Sequence, residues 1–193
     1  LTSPLQLAVM TARIATGREV TPRLIRLIDG VTQPSGLGES LGINENTLRR
    51  VRASMNDVCN HRRGTAYRSR IIDDAHKMAG KTGTSQVRRI TPEERAAGVT
   101  RNEDLPWERR DHALFVGFAP YDNPRYAVSV VVEHGGGGSA AAAPIARDIL
   151  LQAQYGGPPP LEAYPAEVRD RIAEQQSRIE ARIPPGAKGR SRV

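Results

Sequence analysis

The chain has 193 residues, of which 38% are hydrophobic, enough for one domain with a buried core. Its 28 Lys and Arg against 21 Asp and Glu leave a formal net charge of +7, but the clusters Arg49-Arg50-Arg52, Arg62-Arg63, Arg88-Arg89 and Arg109-Arg110 are interleaved with acids and few aromatics. That is the pattern of a solvated basic surface rather than of a nucleic-acid face, and the longest apolar runs, near Val130 and after Ser139, fall far short of the roughly 20 residues of a membrane-crossing helix.

In chain order, Ser3-Pro4-Leu5-Gln6 spells a helix start with a capping box and proline at the first helical position. Leu7, Met10 and Ile14 then share one face, and Gly17 can close the helix in a left-handed conformation. Residues 22–28 read as a short strand leading to a turn at Asp29-Gly30, and 33–42 as a polar connection. A second helix is expected from Asn44 as cap through Cys59, with Leu48, Val51, Met55 and Val58 at helical spacing and Arg49, Arg50 and Arg52 in solvent. Gly64-Thr65-Ala66 punctuates the entry to three antiparallel strands, around 81–87, 113–120 and 126–133. Between the first two lies a charged excursion, 85–111, too polar for core and either functional or mobile. A helix over 140–155 should pack back on the sheet through Ile145, Ile149 and Leu150. Residues 156–193 read as a charged tail containing proline and glycine, partly helical and largely outside the core. The fold class is therefore mixed α/β, with helices flanking an antiparallel sheet.

Lys81-Thr82-Gly83-Thr84 is the stretch that carries chemistry. A strand so spelled offers a fixed positive charge, two hydroxyls, and at Gly83 a backbone that a substrate can approach closely. The Thr84 N–H can point at an oxygen that becomes negative during acyl transfer, and the ammonium and hydroxyls suit a terminal carboxylate. Taken alone, the tetrapeptide is equally the end of an ordinary strand with an exposed lysine. Its context is more specific: Gly64-Thr65-Ala66, Lys81 to Val87, Arg110-Asp111-His112, Phe118-Ala119-Pro120-Tyr121, Asn123-Pro124 and Glu133-His134-Gly135-Gly136 follow in order.

This series, together with Thr2-Ser3-Pro4-Leu5-Gln6-Leu7-Ala8, resembles the C-terminal part of the transpeptidase domain of class B penicillin-binding proteins, most of all their elongation-type members, over residues 1–155. The resemblance implies a β-lactamase/D,D-peptidase-like fold lacking its N-terminal part here. It implies a serine-type D,D-transpeptidase that crosslinks peptidoglycan stem peptides during cell-wall elongation and is acylated by β-lactams. It also implies attachment to the inner membrane through an absent N-terminal anchor, a periplasmic catalytic domain, and partners among elongation-complex glycosyltransferases and scaffold proteins. The family's nucleophile is a serine activated by a lysine one helical turn later. No Ser-x-x-Lys precedes the triplet, so only Lys81, Thr82, Gly83 and Thr84 carry over, with Lys81, Thr82 and Thr84 binding substrate. Because the chain opens on Leu1 rather than Met, its natural N-terminus is expected upstream, and the isolated segment is expected to be inactive and marginally stable.

Other residues support weaker readings. His112 is a framework residue or a proton shuttle. His134 with the four glycines after it is a flexible strand-to-helix turn, an oxyanion loop or a phosphate cradle. Cys59 excludes an internal disulfide, and with the four histidines it forms no recognisable metal spacing, so neither metal nor cofactor is called for. Two alternatives stay open. One is a β-lactamase or D,D-carboxypeptidase of the same fold; the other is a DNA-binding helix-turn-helix over residues 40–58, although nucleic acid is not the expected partner.

Overall fold

Helix α1 spans Pro4–Thr16 in the computed structural model, which describes residues 2–33 and 36–182. The Gln6 backbone N–H donates to the Ser3 hydroxyl at 3.2 Å and the Ser3 N–H donates to the Gln6 side chain at 2.8 Å, so both halves of the capping box form. Gly17 closes the helix at φ 69°, where only glycine is unstrained. The strand expected over 22–28 shrinks to β1, Leu27–Ile28, paired with β2, Val31–Thr32. Asp29 and Gly30 both take positive φ between them, the geometry of a tight hairpin. Pro22 has no N–H to give a ladder, and Leu24 stands 95% exposed.

Helix α2, Glu45–Asn60, starts where the Asn44 side chain accepts from the Asn46 N–H at 2.9 Å. It buries Leu48, Met55 and Cys59, while Val51 from the expected stripe is exposed. Arg49 and Arg50 face solvent, but Arg52 does not: it donates to the Ala15 carbonyl at 3.0 Å and pairs with Glu45, tying α1 to α2. Residues 36–43 form no helix ahead of α2, so the helix-turn-helix lacks its first element, and α2 spends its apolar face on the core instead of a groove of DNA.

Strand β3, Ala79–Ser85, pairs antiparallel with β4, His112–Ala119, which pairs antiparallel with β5, Tyr126–Val132. Alternation sends Ala79 and Phe118 to one face, where they cluster with Ala15 of α1 and Met55 of α2. Ala113, Phe115, Val128 and Val130 point to the other face, against helix α4, Ala142–Tyr155. The face of α4 differs from expectation. Ala142, Ala143, Ala146, Leu150 and Leu151 are buried, whereas Ile145 and Ile149 are 42% and 48% exposed. Alanines let the helix backbone come close to the sheet, and the isoleucines fall on the outer side of that seam.

Residues 156–182 are partly helical and mostly not buried, with a few anchors in the core. Residues 161–163 and 166–168 are single 3₁₀ turns before helix α5, Arg169–Arg182, and Ala163, Tyr164 and Ile172 are at most 3% exposed within the principal core. The Ile72 N–H donates to the Ala163 carbonyl at 2.9 Å, so this stretch is laid into the domain. A few apolar anchors suffice because the charged residues between them stay in water. The Pro/Gly/basic end, with Lys188, Arg190 and Arg192, lies outside the described residues.

One polar network locks the connection between α2 and β3 onto the end of α4. The Tyr155 hydroxyl donates to Asp73 Oδ2 at 2.6 Å, His76 Nδ1 lies 2.7 Å from the same oxygen, and the His76 and Tyr155 rings stack at 4.5 Å. The Tyr155 hydrogen bond, with help from His76, holds the Asp73 carboxyl below its usual range, and burial and the carboxylate push Tyr155 up to about 12. A depressed folded pKa stabilises the protein fully above the unfolded carboxylate value of about 3.9 and loses that contribution as pH falls through the folded value. In Tyr155→Phe the Asp73 carboxyl returns toward its unfolded value, so less stability should be lost on acidification; urea midpoints measured from pH 6 to pH 2 check this, and an equal loss in the two proteins would refute it.

Candidate active site

Strand β3 is an edge strand, hydrogen-bonded to β4 alone among the described residues. Lys81, Thr82, Gly83 and Thr84 sit in its middle, opposite Val116, Phe115, Leu114 and Ala113. Three glycines make this register feasible. A Cβ on Gly117 would lie 2.7 Å from the Phe115 ring and 2.8 Å from the Ala79 carbonyl, and one on Gly80 would strike the same ring. One on Gly138 would strike the Leu114 and Gly83 carbonyls. The turn after β5 is therefore pressed onto Gly83 and is not the flexible connection expected from its composition.

Lys81 and Thr82 point to opposite faces. Lys81 is exposed, and its Nζ donates to the Thr82 carbonyl at 2.6 Å. Its side chain stands at one wall of a groove of about 520 Å³ whose other walls are largely apolar, with Met10 and Ile14 of α1, Met55 and Val58 of α2, and Val116 beside it. Thr82 faces the α4 side, where its hydroxyl lies 2.9 Å from that of Thr65. Gly64-Thr65-Ala66 is thereby tied to the middle of β3, although the two short 3₁₀ turns at 67–69 and 74–76 separate it in sequence. Thr84 is exposed at the open edge. The expectation that no Ser-x-Asn precedes the triplet needs correction, since Ser54-Met55-Asn56 spells one; it is helical, with Met55 buried and Ser54 lining the groove that Arg50 and Lys81 also line. Ser54 contributes a wall, and among the described residues its hydroxyl makes no hydrogen bond to a base.

The excursion over 86–111 folds on itself beside the end of β3. It holds helix α3, Pro92–Ala97, and a paired Arg88 and Glu94 with contacts of 2.5 and 2.6 Å, which keep the Glu94 carboxyl below its usual range. The Asp111 N–H donates to the Asn102 side chain at 2.8 Å, the Asn102 amide donates back to Asp111 at 3.2 Å, and Asp111 also accepts from Val87 N–H at 3.4 Å. The polar composition that spoke against a core role thus supplies this loop's own scaffold.

His112 Nδ1 accepts from the His134 N–H at 2.9 Å, and the His134 ring donates to the Arg110 carbonyl at 3.0 Å, with Trp107 packed on it at 4.4 Å. Both histidines hold the ends of β4 and β5 together, which is the framework reading. Cys59 is buried, and burial pushes its thiol up to about 12, so it is no nucleophile. Among the described residues no three His, Cys, Asp or Glu side chains converge as metal ligands, and no helix is long and apolar enough to cross a membrane.

Comparison with known proteins places this geometry. The family model for the penicillin-binding protein transpeptidase domain matches residues 1–151. A peptidoglycan D,D-transpeptidase MrdA of Acinetobacter baumannii is 38% identical over 141 residues, covering 69% of this chain and 20% of that protein. Among solved structures, penicillin-binding protein 2 of Pseudomonas aeruginosa in complex with WCK 5153 is similar at TM-score 0.60 and 34% identity, over 79% of this chain and 30% of that one. The complex of penicillin-binding protein 2 and MreC from Helicobacter pylori gives 0.59 and 32%, over 80% and 25%. The chain thus spans between a fifth and about a third of the length of these relatives.

Proposed function

The chain belongs to the penicillin-binding protein transpeptidase family, and from that premise we propose that it supplies the substrate-binding strand of a peptidoglycan D,D-transpeptidase of the penicillin-binding protein 2 type. The observation that carries this is the place of Lys81-Thr82-Gly83-Thr84: an edge strand, with Lys81 at one wall of a largely apolar groove and Thr82 braced from behind by Thr65. In this reading a stem peptide lies along the open edge of β3, passing Gly83, with its terminal carboxylate at that edge, between the Thr82 and Thr84 hydroxyls on one face of the strand and the Lys81 ammonium on the other.

The catalytic serine attacks the penultimate carbonyl, the terminal residue leaves as an amine, and an amine of a second stem peptide then takes the acyl group. The Thr84 N–H faces the oxygen that becomes negative in each tetrahedral intermediate. The serine and its activating lysine come from a helix seated in the groove between α1 and α2. The boundary near residue 155 separates the family domain from a C-terminal extension. The similarity to the Helicobacter pylori complex supports a scaffold partner of the MreC kind, and the reading extends to an elongation glycosyltransferase, an inner-membrane anchor and a periplasmic site.

Tagged penicillin applied to the longest native polypeptide containing this segment tests the reading. The expected adduct maps to a serine followed three residues later by lysine, outside residues 1–193. An adduct within the 193 residues, or none on a folded protein, would overturn it, and rapid release of hydrolysed penicillin would transfer the site to a β-lactamase. The exposed groove carries a second expectation: the 193 residues alone should bind an apolar-surface dye and melt broadly. A sharp cooperative melt with no dye binding would contradict the helix-docking role of the groove.

A further inference from the structure

A second cavity, about 460 Å³, opens between the 62–69 segment, the start of α4 and the start of α5. It gathers Arg62, Arg68, Arg147 and Arg171 with the hydroxyls of Ser69 and Ser139, and no carboxylate lines it. Some arginines elsewhere are paired, Arg52 with Glu45, Arg88 with Glu94 and Arg178 with Glu174, while others such as Arg49 and Arg50 stand singly in solvent; what sets this cavity apart is that four gather around one space. Arg62, Arg68 and Arg171 enter no ion pair among the described residues.

Arg147 is only 1% exposed. Its Nε donates to Asp148 Oδ1 at 2.8 Å; Nη2 lies 2.8 Å from the same oxygen but makes no hydrogen bond of good geometry, and the guanidinium sits 5.0 Å from the Tyr164 ring. Among the described residues one carboxylate, itself 41% exposed, is the only hydrogen-bond acceptor of this buried cation. Buried cations are ordinarily furnished with a full set of acceptors, and like charges around one cavity repel. The start of α4 adds the positive end of its dipole, with no acidic residue in its first turn.

We propose that this cavity binds a phosphate-bearing group, a phosphodiester or a pyrophosphate. Four arginines from three separate stretches of chain approach it, which suits an anion with oxygens on several sides, whereas a flat carboxylate satisfies one guanidinium fork. The volume leaves room for an organic substituent against Pro144 and Val168, which share the lining. Arg171 lies on α5, beyond the residues 1–151 that match the family model, so the site joins the domain to its C-terminal extension. It does not depend on the acyl-transfer reading. It does adjoin that site, because Thr65 lines the cavity and its hydroxyl is 2.9 Å from that of Thr82.

Calorimetric titration of the longest native polypeptide with inorganic pyrophosphate, with citrate as the carboxylate comparison, tests the proposal. Saturable pyrophosphate binding is expected, about tenfold weaker in each of Arg68→Gln and Arg171→Gln, unchanged in Arg95→Gln on the distant α3, and about tenfold tighter than citrate. Co-sedimentation with phosphatidylglycerol and phosphatidylcholine vesicles separates the sources. Capture by the anionic vesicles alone, lost in both arginine variants, assigns a lipid headgroup, and binding of free pyrophosphate without vesicle capture assigns a soluble ligand. Binding that ignores Arg68 and Arg171, citrate equal to pyrophosphate, or no binding in either arm overturns the proposal. Penicillin labelling reads the other site separately, so the two fail independently.

Discussion

Lys81→Ala, made in the longest native polypeptide that contains this segment, should slow covalent labelling by tagged penicillin about 10²–10³-fold, the loss typical of removing one positioned donor from an acyl-transfer site. The side chain is exposed, and its one hydrogen bond is to the neighbouring Thr82 carbonyl at 2.6 Å, so little packing depends on its ammonium. The melting temperature should therefore hold while the acylation rate falls. Lys81→Arg retains the charge in a broader, planar head and should recover only part of the rate. A merely structural lysine would lower the melting temperature and labelling together, and an unchanged acylation rate in a folded Lys81→Ala protein would remove Lys81 from the site.

Gly138→Ala should be the most damaging single-methyl substitution near the site, costing about 3 kcal/mol or more, with Gly137→Ala beside it costing less than about 1 kcal/mol. The contrast rests on what each new methyl would meet. At Gly138 it strikes the Leu114 and Gly83 carbonyls, backbone atoms held in the β3–β4 ladder, whereas nothing lies within 4 Å of one at Gly137. Relief requires either lifting the start of α4 from the sheet or shifting β3 at Gly83, so the substitution should also slow acylation. Urea denaturation of both variants measures the difference. Equal costs would mean that the glycine turn yields, and that Gly83 is not clamped from behind.

The Ser3 capping box, the Gly17 and Asn44 caps, the three long strands and the Asp29-Gly30 turn were legible because each is a local matter: a side chain meets its own backbone within four residues, or apolar residues alternate over one run. The face of α4 was not legible. Ile145 and Ile149 outrank alanine in hydrophobicity, but the seam against the sheet admits Ala142, Ala143 and Ala146 because close approach counts for more there than side-chain bulk. The burial of Ala163, Tyr164 and Ile172 was hidden for a related reason, since a charged composition reports the average residue and not the few that anchor it.

The order of the main elements and the chemistry of the strand are local information, because Lys81-Thr82-Gly83-Thr84 and the blocks around it are written in consecutive residues. What that strand faces depends on packing. The Thr65–Thr82 hydroxyl pair, the clamp of Gly138 on Gly83, the groove beside Lys81 and the meeting of Arg62, Arg68, Arg147 and Arg171 all join residues remote in sequence. Such contacts are fixed by how helices and sheet pack, which no local pattern encodes.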